Sequence, residues 1–181
     1  MKYTNIKLMV IAFCMLAESK TAIAFDFKGI EVGGPKTYQS EDVQYALGTE
    51  SRINCGKGTE ECMVCNGVTS IGGAIAITNI VISSKGVVTR IALKIDSNDF
   101  LKVVSVATEK YGKPTKITTK VEQNRMGAKF QNVTYLWQGK EGRYIRIVKY
   151  YQTLDDGEVY FGTAEDTELL HNIYSPKKED I

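Results

Sequence analysis

Histidine is almost missing from this chain. His171 is the single one among 181 residues, which also hold only three prolines, one tryptophan and four cysteines. A lone imidazole leaves no second histidine for a metal site and makes His171 the one candidate for the usual base of a nucleophilic pair. Surplus charge is missing too, with 23 lysines and arginines against 21 acidic side chains. Nothing therefore draws the chain in bulk toward nucleic acid or anionic lipid. A bilayer-spanning helix needs about 20 consecutive apolar residues, and no stretch after residue 24 supplies them.

What is there begins with an export signature. Lys2 and Lys7 precede an apolar run over residues 8–17, and Ala22-Ile23-Ala24 supplies the small-x-small pattern that signal peptidase reads. We expect residues 1–24 to be a cleaved signal peptide and the working chain to start at Phe25. Phe13 before Cys14 is too large for a lipoprotein signal, which speaks against lipid anchoring. Lys2, Lys7, Lys20 and Glu18 leave with the signal, so the remaining charges balance. The expected locations are the periplasm or the outside of the cell, with no stable membrane insertion and no nucleic-acid partner.

Three cysteines then remain, Cys55, Cys62 and Cys65, inside a glycine-rich stretch that reads as a loop over residues 54–67. An odd number allows one internal bridge and a remainder that can join a second chain as a disulfide-linked dimer. The expected bridge runs from Cys55 to Cys62 or Cys65, and would stabilise by roughly 2–3 kcal/mol through loop closure. Cys62-Met-Val-Cys65 also has redox-motif spacing, but Asn66-Gly67 follows where such a motif needs a helix N-terminus. A zinc site would need a fourth ligand, and His171 lies far off in sequence. No metal or cofactor is expected. A thiol-active or metal-binding protein centred on Cys62 and Cys65 stands as the alternative function.

Along the chain, residues 25–33 alternate as a short strand closed by Gly33-Gly34-Pro35. Ser40 is placed to cap a short helix through residue 48, with Glu41 and Asp42 in its first turn. Residues 71–83 and 87–95 read as a hairpin turning at Ser84-Lys85-Gly86, with Ile91, Leu93 and Ile95 on its buried side. Phe100, Val104, Ala107 and Tyr111 recur at helical steps until Gly112 and Pro114. Strands are expected at 116–123, 133–138, 143–152 and 158–163 as an antiparallel meander, with Asp155-Asp156-Gly157 as a turn. A short helix over 165–174 and a disordered tail follow.

The fold class is therefore α+β, an antiparallel sheet with helices packed on one face, in one domain over 25–163. Its halves, 25–96 and 97–163, read as two tandem helix-plus-hairpin subdomains, with 164–181 as a terminal helix and tail. Phe27-Lys-Gly-Ile-Glu-Val-Gly33, the helix end Lys110-Tyr-Gly-Lys-Pro-Thr115 and Tyr135-Leu-Trp137 carry a resemblance. The chain resembles exported bacterial proteins of the β-lactamase-inhibitor-protein-like class, which includes small SmpA-type envelope proteins. That resemblance implies helices on one sheet face and a protein partner held by the other face or its loops.

No catalytic motif emerges. His171 belongs to the polar side of a terminal helix, Asp155-Asp156 reads as turn chemistry, and Ser83-Ser84-Lys85 has the wrong spacing for a Ser-x-x-Lys site. Binding has better support. In a regular strand Tyr144, Arg146, Val148 and Tyr150 share one face while Ile145, Ile147 and Lys149 take the other. Tyrosine and arginine dominate interface hot spots because each joins contact area to directed hydrogen bonds. Tyr135 and Trp137, or alternatively Tyr160, extend that face depending on register. The expected function is an exported, non-enzymatic protein-binding module of the bacterial envelope.

Overall fold

The computed structural model describes residues 25–48, 50–58, 62–123, 126–164 and 166. The expected signal peptide, His171, the tail and, apart from Asp166, the closing helix lie outside the described residues. Two segments differ at once from the sequence reading. Residues 25–33 form a miniature hairpin, β1 (Asp26–Phe27) and β2 (Ile30–Glu31), instead of one strand. Lys28 and Gly29 both take positive φ (51° and 82°), the geometry that lets a two-residue turn match strand twist. The supposed cysteine loop is likewise sheet: β3 (Arg52–Lys57) and β4 (Met63–Ile71).

Between them lies α1 (Ser40–Leu47), whose cap is Gln39 and not Ser40: the Gln39 N–H donates to Asp42 Oδ2 at 2.8 Å. The Gly72-Gly73 turn, both glycines at positive φ, leads into β5 (Ala74–Ile82), which starts later than the apolar run suggests. Next come β6 (Val88–Asp96) and α2 (Phe100–Tyr111), with a single 3₁₀ turn between them. Asp96 opens that turn by accepting from Asn98 N–H at 2.8 Å. Phe100, Val104, Ala107 and Tyr111 are all buried, so the helical periodicity identified the packed side of α2. The last strands are β7 (Lys116–Gln123), β8 (Lys129–Gln138), β9 (Tyr144–Val148) and β10 (Asp156–Gly162). Asp156 and Gly157 belong to β10, so the turn before it falls earlier. A Cβ on Gly157 would meet Lys149 O at 3.1 Å, which explains a glycine within the strand.

Eight of the strands form one antiparallel sheet in the order β3-β4-β5-β6-β10-β9-β8-β7. Among the described residues the protein is a mixed fold dominated by that sheet, with two α-helices. Each half of the chain contributes a helix followed by four meandering strands, and β6 joins β10 over the register Asp96–Asp156 to Arg90–Gly162. The core lies on the face bearing Ile80, Leu93, Ile147 and Val159. α2 covers its second half: Phe100 meets the Tyr135 ring at 5.7 Å, and Trp137 Nε1 donates to Gly112 O at 2.8 Å.

Candidate functional site

Strand alternation sends Ile145 and Ile147 into the core and Tyr144 and Arg146 to the opposite face, away from α2. Register then decides which neighbours join them. Arg146 lies opposite Tyr160 on β10 and Leu136 on β8, whereas Ile145 and Ile147 lie opposite Trp137 and Tyr135. Tyr160 therefore completes the face, while Tyr135 and Trp137 stand on the other side beneath α2. Trp137 belongs to the core, and the half-buried Tyr135 packs against it. Tyr150, beyond the end of β9, packs edge-on against Phe130 at 5.4 Å and holds Asn132 through its backbone, so it sits apart from the Tyr144–Arg146 pair.

The assembled cluster is compact. The Tyr144 and Tyr160 rings stack at 5.9 Å and 17°, over a position where only glycine fits: a Cβ on Gly162 would lie 2.7 Å from the Tyr160 ring. The Arg146 guanidinium lies 5.2 Å from the Tyr160 ring centre and donates to Glu158 Oε2 at 2.7 Å. The Tyr160 hydroxyl donates to the Asp166 carboxylate, and Arg90 stands 3.9 Å from the same group. Glu158, Tyr160 and Asp166 are buried although they lie on the side away from the helices. Burial first, and then the Asp166 hydrogen bond, hold the Tyr160 phenol well above its ordinary pKa. At neutral pH it stays protonated and serves as a hydrogen-bond donor. Each arginine has a carboxylate at hand, so the cluster is rigid and its charges are balanced. The Nε atoms of Arg90 and Arg146 find no partner among the described residues.

Further along the same face the chain shows oil to water. Val68 on β4 and Ile75 and Ile77 on β5 are exposed, Ile75 at 74%. Exposed apolar groups beside a rigid aromatic–arginine cluster are the makings of a contact surface.

The core side also holds a cavity of about 210 Å³ lined by Phe27, Val106, Ala107, Ile145, Val159 and Phe161. The charged groups at its edge are engaged: Lys110 pairs with Asp26 at 2.8 Å, and Lys28 donates to Thr69 at 3.1 Å. Tyr111, whose hydroxyl donates to Asp26 O, has its phenol pushed up by burial and then by the Asp26 charge.

The disulfide joins Cys55 and Cys65, directly opposite each other on β3 and β4 with their Cα atoms 4.0 Å apart. Cys62 stays outside that bridge at the hairpin end, where its carbonyl accepts from Gly58 N–H at 2.8 Å. Among the described residues no group of three or more His, Cys, Asp and Glu side chains is arranged to hold a metal ion, and no helix is long and apolar enough to cross a membrane. Sequence reasoning missed Glu158, Arg90 and Asp166 at the face cluster. A signal for Glu158 was present, a charged residue two before Tyr160 on the same strand side. Asp166 had none, because it arrives from beyond β10.

No protein-family model, curated protein or solved structure matches this chain.

Proposed function

We propose that this protein is an exported, non-enzymatic binding module of the bacterial envelope that holds a protein partner against the sheet face away from α2. It would serve as an inhibitor, immunity factor or assembly component. The carrying observation is the Tyr144–Tyr160–Arg146 cluster, preorganised by stacking and ion pairing on the side of the sheet away from α2. Preorganised aromatic and arginine side chains lose little freedom on binding, which is what makes them hot spots. Helices gathered on one face, and the repeated helix-plus-four-strand unit, support the resemblance to the β-lactamase-inhibitor-protein-like class. A disulfide is compatible with an oxidising compartment.

The test is capture of partners from an envelope extract by tagged protein, beside a Tyr144→Ala, Arg146→Ala variant and a Tyr45→Ala control. Tyr45 is exposed on α1, away from the cluster. The reading expects one envelope protein retained by the wild type and the control and lost by the folded double variant. Equal retention by all three would refute this face as the binding surface.

A further inference from the structure

Strand β7 is an edge of the sheet, and its outward backbone can be deduced. Lys149 N–H donates to Val133 O at 2.9 Å, so odd-numbered residues of β8 bond to β9. Backbone groups alternate sides along an antiparallel strand, so even-numbered residues of β8 bond to β7. Through the pairs Lys116–Leu136, Thr118–Thr134 and Lys120–Asn132, the even residues of β7 are the ones tied inward. Ile117, Thr119 and Val121 thus point N–H and C=O out of the sheet, where they meet no backbone partner among the described residues. Their side chains stand on the core side of the sheet yet in solvent, Ile117 at 55% and Val121 at 67% exposure. Natural edge strands are usually blunted by inward-pointing charge, proline or a cover. On this side β7 has none among the described residues.

We propose that β7 is a homodimerisation strand, pairing antiparallel with β7 of a second copy of this chain about a two-fold axis at Thr119. The outward groups are odd-numbered, so the axis must pass through a residue and not between two. Three such registers overlap well. Centring on Thr118 sets Lys116 opposite Lys120 twice, and centring on Lys120 sets that lysine against itself. Like charges directly opposite destabilise a strand pair. Centring on Thr119 instead places Lys116 opposite Glu122, Ile117 opposite Val121 and Thr118 opposite Lys120, with each pair occurring twice. The sequence Lys-Ile-Thr-Thr-Lys-Val-Glu from 116 to 122 is self-complementary in this register alone. Ile117, Thr119 and Val121 exchange both backbone hydrogen bonds with their opposites, the apolar pairs cover one another, and core side continues into core side. The inference is independent of the proposed function, because the face cluster lies on β9 and β10.

Sedimentation equilibrium of the purified protein across the micromolar range, with and without reductant, tests it. The wild type is expected to dimerise in both conditions. Lys116→Glu and Glu122→Lys should each weaken association about tenfold or more, since each creates two like-charge pairs. Mixing these two variants should restore a dimer, because every 116–122 pair across the interface is then opposite in sign. Such rescue occurs only if both variants fold. Thr119→Pro, which removes an outward N–H and no bond to β8, should abolish association. A wild type that is monomeric throughout, a dimer lost on reduction, or a dimer indifferent to Lys116→Glu, Glu122→Lys and Thr119→Pro would overturn the proposal.

Discussion

The two edges of the sheet are finished differently, one stapled and one open. At the β3 edge the outward backbone groups of Ile53 are consumed locally: Ile53 N–H donates to Ser51 O at 3.1 Å, and Gln44 on α1 donates to Ile53 O at 3.4 Å. The Cys55–Cys65 bridge pins β3 to β4, and Ile53 is buried. Close packing extends to the backbone, where a Cβ on Gly67 would lie only 1.8 Å from Arg52 O. At the β7 edge, among the described residues, there is no cross-link and no helix over the strand, and nearly all of its side chains are exposed. What anchors that end is one strand inward, where Trp137 is buried and bonded to Gly112, the residue that caps α2. An edge that is stapled and covered cannot accept another strand. An edge left bare, beside a neighbour held firmly, is stable enough to persist and open enough to pair.

The strongest way to break this comparison is at Trp137. Trp137→Ala should cost about 3–5 kcal/mol, from the cavity it leaves and the Gly112 carbonyl it strands. Urea unfolding followed by circular dichroism measures it. A loss below 1 kcal/mol would mean that the β7 end is anchored elsewhere. Replacing both Cys55 and Cys65 by alanine should cost about 2–3 kcal/mol, the loop-closure value for cysteines 10 residues apart. If the double variant unfolds at the wild-type urea concentration, the staple contributes nothing and the β3 edge rests on α1 alone.

Local signals made much of this fold legible in the sequence, and pairing choices made the rest illegible. The steps from Phe100 to Tyr111 disclosed α2 because a single helix carries its own period. The bounds of β7 were readable for a similar reason, with Pro114 before it. Residues 54–67 looked like a loop because glycine and asparagine have poor strand propensity, yet β3 and β4 form there because a cross-strand disulfide and burial of Cys65 outweigh propensity. The side-chain alternation of β9 was right. Whether Tyr135 and Trp137 or Tyr160 would join Tyr144 depended on the β8–β9 and β9–β10 registers, and a shift of one residue reverses the answer. Gln39 displaced Ser40 as the helix cap because Asp42 reaches back to its backbone.

A finer contrast between the edges is visible in amide exchange. In dilute protein, where a weak dimer is dissociated, the amides of Ile117, Thr119 and Val121 should exchange at nearly unfolded rates. Those of Thr118, Lys120 and Glu122 should be slowed at least about tenfold by their bonds to β8. At the other edge the Ile53 amide should be protected through Ser51 O. Uniform protection along β7 would show that something already covers this edge.

The smallest expected effect lies at the seam where the two halves meet. Lys94 on β6 and Asp156 on β10 form an ion pair at 2.8 Å, and Thr153 donates to the same carboxylate. The Lys94 hydrogen bond first, then that of Thr153, hold the Asp156 carboxyl below the ordinary aspartate pKa, with burial opposing them weakly. A carboxyl whose folded value is depressed contributes stability above its unfolded value and loses that contribution as pH falls through the folded one. Its titration, followed by carboxyl-carbon NMR, should therefore lie to the acid side of a free aspartate and return toward it in Lys94→Ala. Both side chains remain partly in solvent, so the gain in stability is small and salt should erode it. If Lys94→Ala leaves the Asp156 titration unmoved, backbone pairing and apolar packing between β6 and β10 join the halves without help from this pair. The contrast between the sheet's ends would then rest on packing and covalent closure alone.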